Sequence, residues 1–105
     1  MRYRVRYTDP ARRDLRDIYA YIAYTLHSKR TARRMVDRLL REIDSLTEMP
    51  DRYMVVEQEP WRSRGFRRTI VGSYCILYAV DKERGVVHIA RIVYGRRDFA
   101  SLGSD

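Results

Sequence analysis

The spacing of apolar residues changes sharply at Pro50. From Leu15 to Leu46, apolar side chains recur at helical intervals. Leu15, Ile18, Tyr19, Ile22 and Leu26 fall at i, i+3, i+4, i+7 and i+11, one stripe on one helix, with Arg12, Arg13, Asp14, Arg16 and Asp17 over the rest of its surface. Ala32, Met35, Val36, Leu39, Leu40, Ile43 and Leu46 form a second stripe. Thr8-Asp9-Pro10 opens the first helix with a polar cap and an early proline, Ser28 caps the second, and Pro50 stops it. His27 reads as a cationic cap at the end of the first helix. The join is so short that the helices must pack as an antiparallel hairpin.

After Pro50 the period falls to two. Residues 53–56 and 66–71 read as short strands, and 74–80 and 86–94 as a hairpin. Gly85 suits the left-handed position that closes its turn. Residues 2–7 also alternate, with Tyr3, Val5 and Tyr7 on one side and Arg2, Arg4 and Arg6 on the other, a half-buried strand whose like charges resist edge-to-edge aggregation. Val86 with Val87, and Ile92 with Val93, offer apolar groups to both faces, which a central strand or a bulge would explain. The order β-α-α-β-β-β predicts one α+β domain over residues 1–105. It comprises an N-terminal strand, a helical hairpin, and a three-to-four-stranded, mostly antiparallel sheet. The hairpin covers one sheet face and leaves the other free for a site.

Composition narrows the partners. The chain carries 22 basic and 14 acidic residues, a formal charge of +8 and a pI near 10.1. Such a domain suits an acidic protein or a nucleic acid. All the basic residues except Lys29 and Lys82 are Arg, whose planar fork matches carboxylate and phosphate. A GC-rich genome accounts for most of that bias, so only the Arg positions are informative. Arginines cluster at both ends of the terminal hairpin. Arg62, Arg64, Arg67 and Arg68 stand at its entry, and Arg96 and Arg97 follow Tyr94 at its exit. Exposed ion pairs contribute only about 0–1 kcal/mol each, so stability is a poor reason for the cluster. Glu57, Glu59 and Asp98 are the acids placed to pair with it.

Other chemistry is sparse. The single Cys75 excludes an intramolecular disulfide and reads as a buried thiol. There is no triad, no Gly-rich phosphate loop and no metal-ligand spacing, so no cofactor is expected. His88 reads as structural and Trp61 as a loop anchor. Without a leader-like or membrane-length apolar run, a soluble cytoplasmic protein is the default expectation. The small polar tail, residues 101–105, carries no element signal.

The parts in this order resemble the RelE/ParE superfamily of type II toxins, also labelled plasmid-stabilisation proteins. Tyr3-Arg4-Val5 followed by Pro10-Ala11-Arg12-Arg13-Asp14-Leu15 is similar to the family's first strand and helix. Leu46-Thr47-Glu48-Met49-Pro50 is similar to its second-helix exit. Phe66-Arg67-Arg68-Thr69-Ile70-Val71, Tyr74-Cys75-Ile76-Leu77-Tyr78 and Ile89-Ala90-Arg91-Ile92-Val93-Tyr94-Gly95-Arg96-Arg97-Asp98 resemble its last three strands.

The resemblance implies a toxin silenced by an acidic antitoxin. The target is DNA gyrase in ParE-like members, and mRNA on the ribosome in RelE-like ones. DNA is expected to be contacted only through the antitoxin complex. RelE-like members carry an Arg straight after the aromatic residue of the third strand, where this chain has Cys75. Some carry a His or Tyr at the end of the last strand or in the tail. Tyr94 fills the first place and nothing fills the second. Arg68 and Arg97 match family arginines that contact phosphate. The expectation therefore leans to gyrase poisoning, with a ribosome-dependent endoribonuclease using Arg68, Arg97 and Tyr94 as the alternative. A basic nucleic-acid-binding module without toxicity is the third reading. The expected target or phosphate-binding set is Arg64, Arg67, Arg68, Arg91, Arg96 and Arg97. The expected antitoxin-binding set, on the helices, is Arg12, Arg16, Arg34, Arg38 and Arg41.

Overall fold

The computed structural model describes residues 2–95. β1 (Arg4–Tyr7) leads into α1 (Asp9–Ala20), a π-helical turn (Tyr21–Thr25) and α2 (Lys29–Ser45). A 3-10 turn (Pro50–Arg52) precedes β2 (Arg67–Val71), β3 (Tyr74–Asp81) and β4 (Val86–Tyr94). One four-stranded sheet has the order β1-β4-β3-β2. β1 runs parallel to β4 and the other neighbours are antiparallel, so the sheet is mixed.

Local chemistry sets the helix ends. The Thr8 hydroxyl accepts from Ala11 N–H at 3.2 Å and lies 2.8 Å and 3.0 Å from the carbonyls of Ile89 and Ala90, so one side chain caps α1 and ties it to β4. Ser28 caps α2 by accepting from Thr31 N–H at 3.2 Å. Ala11, Ile18, Ile22, Ala32, Leu39 and Ile43 bury their stripes against the sheet.

Leu26 departs from the expected stripe and is 55% exposed. The π-turn inserts one residue into the helical repeat, so Ile22 and Ala23 are buried while Leu26 is rotated outward. Leu40 also lies at the surface. His27 adopts a left-handed φ of +57° in the connection between α1 and α2.

β4 reconciles both explanations of its two-faced pattern. It is central, and it is bulged. Tyr78 pairs with Ile89 and Leu77 with Arg91, so Ala90 is the extra residue. Ile89 and Ile92 thereby share the helix-facing core, while Ala90 and Val93 pack on the opposite face. Gly85 closes the β3–β4 turn at φ +67°.

That opposite face is not free, contrary to expectation. The segment between Pro50 and β2 folds back over it. Val56 and Trp61 pack with Cys75, Leu77 and Val93, and the Trp61 ring meets Phe66 edge-on at 4.9 Å. The strand expected at 53–56 reduces to an isolated bridge between Val55 and Arg67, because the chain must turn away to deliver Trp61. Among the described residues no helix is long and apolar enough to cross a membrane, and no cluster of His, Cys, Asp or Glu could hold a metal ion.

Candidate functional site

Two concavities meet where β3 begins and β4 ends, at Tyr74 and Tyr94. The larger, about 800 Å³, is an apolar groove between the helical hairpin and the ends of β3 and β4. Ile18, Tyr21, Leu26, Met35, Tyr74 and Tyr94 line it, with Asp14 and Asp17 at its rim. Tyr94 packs edge-on against Tyr74 at 5.6 Å between ring centroids. Burial, then the neighbouring phenols of Tyr94 and Tyr21, push the Tyr74 hydroxyl up in pKa. The exposed Tyr21, Leu26 and Tyr94 make this an unusually apolar surface for so charged a chain.

The smaller is a notch of about 300 Å³ on the other side of Tyr74 and Tyr94. Arg68, Ile70, Cys75 and Gly95 complete it. Arg68 and Tyr94, both expected at a catalytic site, are therefore neighbours in space as well as in that expectation. Cys75 lies between them at 2% exposure. Burial raises its pKa and the nearby Arg68 guanidinium pulls the other way.

The remaining expected residues separate. Arg67 donates to the Tyr53 carbonyl, which pins the loop before β2. Arg91 sits opposite α1 and donates to Asp14 from Nε at 2.8 Å and Nη2 at 3.1 Å. A guanidinium expected to meet a target is thus engaged inside the fold. Arg64 is exposed on the turn after Trp61. Arg96 and Arg97, and the tail at 101–105, lie outside the described residues.

On the helices, Arg12, Arg16, Arg34, Arg38 and Arg41 are all exposed. Arg12 pairs with Asp9 at 3.8 Å. Asp37 and Asp44 lie at helical spacing from Arg34 and Arg41, yet neither pair is among the ion pairs of the described residues. Arg30, Arg34, Arg38 and Arg41 then form one stripe of cations along α2.

Sequence reasoning missed the groove and the Asp14 clamp. Asp14 was grouped with the solvated surface of α1, yet it falls three residues after buried Ala11 and four before buried Ile18. A carboxylate in that register had to find a donor. Leu26 was legible as apolar, but not as exposed.

The fold is shared with known proteins. The family model of the ParE toxin of type II toxin-antitoxin systems matches residues 5–99. The RelBE2 toxin–antitoxin complex of Mycobacterium tuberculosis contains a chain 25% identical, with a TM-score of 0.68 over 90% of this chain and 99% of that one. A chromosomal ParDE system of P. aeruginosa gives 18% identity and a TM-score of 0.73, over 90% of this chain and 97% of that one. The archaeal RelE–RelB complex of Pyrococcus horikoshii gives 21% and 0.62, over 92% and 99%. No curated protein matches the sequence. With its fold and nearly its whole length matched, the chain belongs to the ParE toxin family of type II toxin–antitoxin systems, within the RelE/ParE superfamily.

Proposed function

We propose that this toxin acts on DNA gyrase, as a protein-binding inhibitor rather than an enzyme, and is restrained by an acidic antitoxin. The observation that supports this best is Cys75. Cutting RNA at its 2′-OH needs a proton acceptor, a proton donor and a cation for the extra phosphate charge. In the notch, the place after the aromatic residue of β3 holds a buried thiol with a raised pKa, which stays neutral and uncharged near pH 7. The cation there is Arg68, whose guanidinium is too weak an acid to move protons. Neither His enters the notch: His27 follows the π-turn, and His88 pairs with Ala79 in the other half of β4.

The antitoxin reading draws on the groove and on the charge. An apolar cleft beside a helix is the surface into which an amphipathic helix lays its apolar face. A chain of formal charge +8 selects an acidic partner, and the separate arginines of α2 strengthen that preference. Solved relatives include toxin–antitoxin complexes of the RelBE and ParDE kinds.

One observation favours the ribonuclease alternative. Arg68 and Tyr94 line the same notch, as phosphate clamp and phenolic acid would have to. Induced expression in a bacterium separates the readings. Growth arrest with intact mRNA and an induced DNA-damage reporter is the expected result. Arrest with cleaved mRNA and a silent reporter would overturn it in favour of the ribonuclease.

A further inference from the structure

In a chain of formal charge +8, the groove beside the helical hairpin has its charge reversed. The charged residues among its described lining are Asp14, Asp17 and Arg91. Arg91 and Asp14 neutralise each other through their hydrogen bonds of 2.8 Å and 3.1 Å. Asp17 is exposed, and no cation pairs with it among the described residues. It stands in the second half of α1, where the helix dipole gives an acid no help. Lys29, just past the π-turn, is directed elsewhere: its Nζ lies over the Tyr24 ring at 5.9 Å, and Tyr24 does not line the groove.

Three phenol rings share this space. Tyr74 is buried, Tyr94 meets it edge-on at 5.6 Å, and both Tyr94 and Tyr21 act electrostatically on the Tyr74 hydroxyl. Tyr21 and Tyr94 are each more than half exposed, so these rings are presented to a visitor rather than packed away. The face of an aromatic ring is electron-rich and attracts cations. Ile18 and Met35 add apolar wall. Rings, apolar wall and one unpaired carboxylate match a cationic head on an apolar stem. An ammonium is strongly hydrated and holds its water against a single carboxylate. A guanidinium is planar, weakly hydrated and stacks on rings, so it suits the site better.

We propose that Tyr21, Tyr74, Tyr94 and Asp17 form a recognition pocket for one arginine side chain, carried on the apolar face of the helix that fills the groove. The inference deepens the antitoxin reading of the groove and rests on it only for the partner's identity. The guanidinium lies against the rings with Asp17 as its counter-ion, and the methylene stem runs along Ile18 and Met35. The pocket then sets partner choice from both sides. A partner with a neutral residue at that place leaves Asp17 unpaired, and one with an acid there meets Asp17 as a like charge. The chain's overall charge draws acidic partners in general, whereas this pocket selects among them by a single basic residue.

The test uses the full chain, isotope-labelled, and two matched pairs of probes. The first pair is n-hexylguanidinium and n-hexylurea, which is neutral and nearly the same shape. The second is a capped amphipathic helical peptide with one arginine on its apolar face, and its twin with citrulline there. The charged member of each pair is expected to shift the ring signals of Tyr21, Tyr74 and Tyr94 and to bind at least about fivefold more tightly than the neutral one. Asp17→Asn and Tyr21→Leu, both at exposed positions, are each expected to remove about threefold or more of that preference while leaving the neutral probes nearly unaffected. Equal binding within both pairs would reduce the groove to apolar contact and overturn the proposal, and so would no binding at all. A preference confined to the small probes would make this a small-molecule site and overturn the helix-borne arginine. Self-association of the chain that Tyr21→Leu abolishes would give the pocket to a second copy, and would also overturn it. None of these readouts involves an antitoxin or toxicity, so failure of the toxin reading and failure of this pocket are distinguishable.

Discussion

Asp14 and Arg91 lie 77 residues apart in sequence and meet through paired hydrogen bonds of 2.8 Å and 3.1 Å, joining α1 to the bulge of β4. The same Asp14 carboxylate accepts Ile92 N–H at 2.8 Å. One carboxylate thus satisfies both the side chain and the backbone where the strand changes phase. Asp14→Ala takes this acceptor from the Arg91 guanidinium and from the Ile92 amide. A stability loss of about 2–3 kcal/mol is expected, as a lower urea midpoint at unchanged m-value. Arg91→Met should cost less, and the double variant should show clear non-additivity. A loss for Asp14→Ala no larger than that of an exposed pair would mean the clamp is incidental.

Tyr78 is fully buried and donates its hydroxyl to the Pro50 carbonyl at 2.6 Å, fastening the end of the helical hairpin to β3. Tyr78→Phe should lower stability at neutral pH by about 1 kcal/mol. Burial pushes the phenol from 10.0 up to about 12, while Arg67 and Arg52 pull the other way. The folded pKa is above the unfolded one, so the phenol's contribution is whole below pH 10 and is lost as pH rises toward 12. Urea midpoints measured from neutral to strongly alkaline pH should therefore fall more steeply for the natural chain than for Tyr78→Phe. Parallel profiles would contradict this.

How much of this was legible in the sequence follows the range of each interaction. Caps, helix stripes and the β3–β4 turn are local, and Thr8, Ser28 and Gly85 sit where spacing places them. Leu26 was misplaced because a π-turn adds a residue without leaving a mark in the apolar period. The second sheet face looked free because its cover depends on where Trp61 lands, which the alternation of β3 does not encode. Arg91 looked available because its partner, Asp14, reads locally as one more solvated acid. The Arg68–Tyr94 notch was legible only through the family resemblance, since the two residues come from non-adjacent strands, β2 and β4.

Leu26 is an exposed apolar residue on the groove wall, so its role separates from folding. Leu26→Glu should change stability by no more than about 0.5 kcal/mol. If an amphipathic antitoxin helix fills the groove, the same change should weaken antitoxin affinity at least about tenfold, by placing a charge in an apolar contact. Titration calorimetry on the purified complex partners checks it. Undiminished affinity would remove the groove from the antitoxin interface.

Arg68 lines the notch beside Cys75, and no carboxylate pairs with it among the described residues. Arg68→Ala should leave the urea midpoint nearly unchanged and reduce inhibition of the target at least about tenfold. Arg91→Ala should show the opposite balance, a lower midpoint with inhibition retained per folded molecule. Inhibition assays run beside unfolding curves for both variants decide it. Matching losses of stability and inhibition in both would mean the notch has no separate role.

The central claim is the target. Purified toxin should be added to a gyrase supercoiling reaction and, in parallel, to ribosomes programmed with mRNA. Loss of supercoiling with the mRNA intact is the predicted result. Cleaved mRNA with gyrase unaffected would contradict the account, and would make Arg68 and Tyr94 parts of a ribonuclease site.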